Sequence, residues 1–116
     1  MENLQIIKKM IQNIWNTQKN IVLQKHYLCD EKQYTLDISI ISNDPKIIVR
    51  YDEYLNVYED ATDLYIHAIR EEFEQLHHAI EFIAQKQNIN DLYQLFELNY
   101  GSRLRKLLKS IENKSV

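Results

Sequence analysis

Residues 34–40 read Tyr-Thr-Leu-Asp-Ile-Ser-Ile, and their period of two decides the fold class. Tyr34, Leu36, Ile38 and Ile40 fall on one side of an extended chain, and Thr35, Asp37 and Ser39 on the other, as in a strand with one buried face. Upstream, Ile21 to Leu28 reads as the hairpin partner, joined through the polar tetrad Asp30, Glu31, Lys32 and Gln33. Downstream, Ser42, Asn43, Asp44 and Pro45 supply a second turn, where proline presets φ. Ile47 to Tyr51 then forms a third strand, resumed at Tyr54 to Tyr58. The centre of the chain is thus a three- to four-stranded antiparallel meander.

On either side the period changes to helical. Leu4, Ile7, Ile11 and Ile14, widened by Ile6, Met10 and Trp15, form the apolar stripe of an amphipathic helix over residues 2–18. After Asp60, Ile66, Ile69, Phe73, Leu76, Ile80 and Ile83 step by three and four, which predicts one long helix from about Ala61 to Gln87. Asn90 is the candidate cap of a shorter helix carrying Leu92, Leu95 and Phe96. Gly101 suits the left-handed end of that helix and Ser102 the start of the next, on which Leu104, Leu107, Leu108 and Ile111 share one side. A meander of this kind buries one face only, so the helices must cover it. The expectation is an α+β fold: an N-terminal helix, the meander, then three C-terminal helices covering one face of the sheet. The other face and both edge strands would be open to a partner.

Counting excludes several chemistries. The 116 residues correspond to one domain, residues 1–116, with 45% apolar and 27% charged positions, the composition of a folded core. A chain with one glycine, Gly101, cannot write a phosphate-binding loop, a dinucleotide fingerprint or a nucleophile elbow. One cysteine, Cys29, allows neither an internal disulfide nor a multi-cysteine zinc site. No apolar run is long enough for a secretory leader or a membrane span, and a lone thiol suits a reducing compartment, so the expected location is cytoplasmic with no membrane partner.

Each further candidate site has a plainer role beside the chemical one. His67, Glu71, Glu74, His78 and Glu81 step by four and three beside the apolar stripe, and Glu74 with His77 spells a Glu-x-x-His pair. A metal centre of that type needs a second such pair, which the chain lacks, so a solvated helix face is the expectation and no metal or cofactor is assigned. His26 stands three residues from Cys29, but nothing marks an oxyanion hole, so no catalytic residue is assigned either.

Charge is the most informative signal. Residues 52–81 carry nine carboxylates against Arg70 alone, whereas residues 101–116 are net +4. Within the acidic block Tyr51, Tyr54, Tyr58 and Tyr65 interleave with Asp52, Glu53, Glu59, Asp60 and Asp63. Tyrosine supplies contact area at low entropic cost and carboxylates steer a cation, so these residues are the expected partner-binding set. The corresponding function is a small non-catalytic protein that blocks a basic protein partner such as a toxin or nuclease, most concretely as an immunity protein. A phage-type inhibitor mimicking nucleic acid uses the same physics. The alternative is a homodimeric regulator that contacts nucleic acid through Arg103, Arg105, Lys106 and Lys109. Against the acidic whole, nucleic acid is not the expected partner, while a homodimer is compatible with either function.

Overall fold

The computed structural model describes residues 2–56 and 65–114. The elements run α1 (Asn3–Thr17), β1 (Asn20–Cys29), β2 (Lys32–Asn43), β3 (Lys46–Leu55), β4 (Tyr65–Phe73), α2 (Leu76–Lys86) and α3 (Ile89–Lys114). The four strands form one antiparallel sheet in chain order, β1-β2-β3-β4. The expected α+β class, N-terminal helix and meander are therefore present. The β1–β2 turn is tighter than the expected tetrad: Asp30 and Glu31 alone make it, at φ 51° and 66°, and Lys32 and Gln33 already belong to β2. Two successive positive φ values are the requirement of the two-residue hairpin turn whose twist matches the strands. The β2–β3 turn is Asp44–Pro45, joined by a cis peptide bond.

Pleating sorts the strands cleanly. Ile21 and Leu23 of β1 stand beside Ile40 and Ile38 of β2, and these beside Val49 and Tyr51 of β3. All are buried, and they meet Ile7, Met10, Ile11 and Ile14 of α1, Ile80 and Ile83 of α2, and Leu92, Phe96 and Leu104 of α3 in one core. α1 and α3 pack on each other and on β1, while α2 packs on β3 and β4. The opposite face carries Gln24, Asp37, Arg50, Arg70 and Glu72. Among the described residues no helix is long and apolar enough to cross a membrane.

Three expectations need correction. The long helix over Ala61–Gln87 does not exist, since Tyr65–Phe73 is strand β4 and only Leu76–Lys86 is helical. The Ile66–Ile69 spacing that suggested one helical face puts the two side chains on opposite faces of a strand. Ile69 packs against the core and Ile66 is 50% exposed. The strand wins because β3 offers a row of unpaired backbone groups and the segment is rich in β-branched and aromatic residues, a tertiary demand that overrides local periodicity. The stripe from His67 to Glu81 is dissolved with the helix. His67 and Glu71 lie on β4, His78 and Glu81 on α2, and among the described residues no three His, Cys, Asp or Glu are gathered to hold a metal ion.

Second, two helices follow the sheet rather than three. α3 continues through the expected break, with non-helical backbone at Tyr100 (φ −135°, ψ 35°). Gly101 is not left-handed; its missing Cβ instead leaves room for Arg105, whose Nη1 would stand 3.2 Å from such an atom. Nor does Asn90 cap α3, because Asn88 does. Asn88 Oδ1 accepts from the Asp91 amide and its Nδ2 donates to Asp91 Oδ2, both at 2.8 Å, satisfying a first-turn donor.

Third, the β1 edge is not open along its first half. The Val22 amide donates to Tyr100 Oη at 3.1 Å. The Gln24 amide donates to Asn99 Oδ1, and Asn99 Nδ2 donates back to the Gln24 carbonyl, each at 3.1 Å. The side-chain amide of Asn99 stands in for a neighbouring strand. Asn99 Nδ2 also donates to the Leu95 carbonyl one turn back, at 2.8 Å, so the kink in α3 sits where its side chains turn to serve the sheet.

Candidate partner-binding groove

The acid- and tyrosine-rich residues expected to form one surface are divided by the pleat. Tyr51 and Glu53 lie on the helix-bearing face of β3, and Asp52 and Tyr54 on the other. Tyr58, Glu59, Asp60 and Asp63 lie outside the described residues, and Tyr65 opens β4. The structure thus brings two of the nine together on the helix-bearing face and surrounds them with partners that the sequence did not mark.

Beyond the helices this face turns polar. Tyr27 of β1 stands opposite Tyr34 of β2, their rings stacked with centroids 5.3 Å apart and planes at 13°. The Tyr27 hydroxyl reaches across β2 to donate to Glu53 Oε2 at 2.8 Å. Burial, and then the bond to Glu53, push the Tyr27 phenol up to about 12, so it stays a donor throughout the physiological range. Glu53 Oε1 is 3.9 Å from Nε2 of His67, its register partner on β4. Deeper in, the Tyr51 hydroxyl accepts from Gln87 Nε2 at 2.6 Å, and burial raises its pKa.

α3 closes the other side. Its first turn presents Asp91, fixed by Asn88, so that Glu53 and Asp91 line a single cleft of about 220 Å³ with Lys25, Tyr27 and Gln87. A second cleft of similar volume continues from it, sharing Lys25, Asp91 and Leu95 and ending at Leu98, a side chain 65% exposed. The two form one groove: a polar floor with two carboxylates, stacked tyrosines at one end and a bare leucine at the other. Among the described residues Lys25 forms no ion pair with either carboxylate; the ion pairs are Lys46–Glu72, Arg70–Glu72 and His67–Glu53.

Tyr27 shares the pleat face of Leu23, but its bond to Glu53 depends on two strand registers that no local pattern encodes. Gln87 and Asp91 escape a local reading for a similar reason: Gln87 ends one helix and Asp91 lies in the next, and only the packing of both against the sheet sets them beside Glu53.

On the reverse face Asp52 stands directly opposite Asp37. Asp37 Oδ2 accepts from Gln24 at 3.1 Å while its Oδ1 is buried without a partner among the described residues. Burial, then Asp37, raises the Asp52 carboxyl, with Arg50 opposing. A raised carboxyl means that ionising Asp52 opposes folding. Asp52→Asn is therefore expected to stabilise the fold at neutral pH by roughly 0.2–1 kcal/mol, the range for relieving facing like charges across strands. The gain should vanish as the pH falls through the raised carboxyl range, where wild-type Asp52 is itself protonated. Urea melts of both proteins at neutral and acid pH check it.

The basic C-terminal helix is less available than its composition suggested. Arg103 is half-buried and donates to Asn13 Oδ1 (3.0 Å), the Asn13 carbonyl (3.2 Å) and Thr17 Oγ1, tying α3 to α1. Arg105, Lys106 and Lys109 remain exposed. Compared with known proteins, the chain matches no family model, no curated protein and no solved structure.

Proposed function

We propose that this is a non-catalytic binding protein that blocks a basic protein partner, and that the groove between Glu53 and Asp91 receives the partner's cationic side chain. The immunity protein of a bacterial toxin, such as a nuclease, is the concrete form of this reading. The observation that carries it is the pairing in one cleft of two carboxylates held by neighbouring side chains, Glu53 by Tyr27 and Asp91 by Asn88. Such carboxylates lose little freedom on meeting a cation, and the stacked tyrosines and Leu98 supply apolar contact beside them. Lys25 at the lip is the internal competitor for the same carboxylates.

The experiment is a low-salt affinity capture from native extract with wild-type and Glu53→Gln/Asp91→Asn baits. The isosteric pair should lower affinity for the captured basic protein by about tenfold or more, and Lys25→Ala should raise it. Equal affinity of wild type and double variant would overturn the placement of the site. A captured nucleic acid in place of a protein would overturn the partner class.

A further inference from the structure

We infer that β4 is the surface through which two copies of this chain pair, edge to edge and antiparallel, about a twofold axis at Ile69. The inference is independent of the groove and rests on the sheet's unequal edges. At the β1 edge, Asn99 and Tyr100 occupy the backbone groups of Val22 and Gln24. At the other, the strand order ends at β4, and among the described residues no side chain bonds its backbone as Asn99 does that of β1. A nine-residue edge strand presents a row of donors and acceptors that another strand satisfies.

The occupant follows from self-complementarity. Paired strands keep like faces on one side only if facing residue numbers sum to an even value, so few registers need comparison. Centring on Arg70 or on Glu71 sets that charge against itself. Centring on Ala68 leaves Glu72 and Phe73 beyond the paired strand. Centring on Ile69 pairs the whole of Tyr65–Phe73 with its copy and opposes no like charges. His67 then faces Glu71 of the second copy twice, Ile69 faces itself, and Ala68 faces Arg70. Ile66, 50% exposed, lies alongside the methylenes of Glu72. The product is one eight-stranded sheet with both helical layers on the same side.

Sedimentation velocity on the full chain, from about 5 to 500 µM at neutral pH, tests this. Wild type should show a concentration-dependent dimer. His67→Glu, which sets carboxylate against carboxylate in both symmetric contacts, should raise the dimer Kd by at least about tenfold. The charge-reversed pair His67→Glu/Glu71→Lys should bring the dimer back. Melting curves keep folding separate from association, since the rescue acts between copies and cannot repair a lost His67–Glu53 contact. A wild type that stays monomeric to the highest concentration, a dimer indifferent to His67→Glu, or a double variant that fails to re-associate would each overturn the inference.

Discussion

Phe96→Ala should cost about 3–5 kcal/mol of folding stability. Phe96 is 1% exposed and sits where α3 meets the sheet, in the same core as Ile21, Leu23 and Ile38 and 6.2 Å, ring to ring, from Tyr100. Removing the ring deletes its transfer free energy and leaves a cavity that α3, pinned on both sides by Leu92 and Leu104, cannot collapse to fill. For a domain whose total stability is about 5–15 kcal/mol, the melting temperature should fall by roughly 12–40 °C. Thermal melts followed by circular dichroism give the number, with Leu98→Ala as the control. Leu98 lies two residues away but is 65% exposed, and its loss should stay within about 0.5 kcal/mol. Similar losses for both variants would mean that α3 does not bury the face described.

The second large effect concerns the capped sheet edge. Asn99→Ala/Tyr100→Phe removes three hydrogen bonds to β1, each with a net worth of roughly 0.5–1.5 kcal/mol. The Val22 bond is the more valuable, because its environment is part-buried and water replaces the lost hydroxyl poorly. The diagnostic readout is amide exchange. Val22 and Gln24 should lose protection selectively, while Ile38 and Val49 at the centre of the sheet fall only with global stability. A uniform loss across the sheet would show that the two side chains serve packing rather than the edge. The double variant should also aggregate more readily on concentration, since it exposes a second pairing surface.

How much of this was legible beforehand depended on range. The alternation of Tyr34 to Ile40 and the stripe from Leu4 to Ile14 are local signals, and both elements lie where the signals put them. The stretch from Ile66 to Ile83 misled because its apolar spacing fits a helix, while half of it is claimed by the edge of β3. Glu74 and Gln75, where strand passes to helix, carry no proline or glycine to announce the change. The groove was legible in Tyr51 and Glu53 and illegible in Tyr27, Gln87 and Asp91, because strand register and the junction of α2 with α3 bring those together. Reading nine acid and tyrosine positions as one surface ignored the pleat, which turns Asp52 and Tyr54 away from Tyr51 and Glu53.

The packing of α1 has a consequence for synthesis of the chain. Six of its side chains, from Ile6 to Trp15, are buried, and its neighbours are β1 and the distant α3. The meander closes hairpin by hairpin as it leaves the ribosome and can cover α1 in part, but α1 cannot complete the burial of its stripe until Arg103 and Leu104 have been made. At about 5–20 residues per second that leaves the first helix waiting for roughly 4–17 s with its apolar side only part-covered. The clasp of Arg103 onto Asn13 and Thr17 joins residues 90 and 86 positions apart, so a nascent chain stalled before α3 would present part of the α1 stripe to the first chaperone it met.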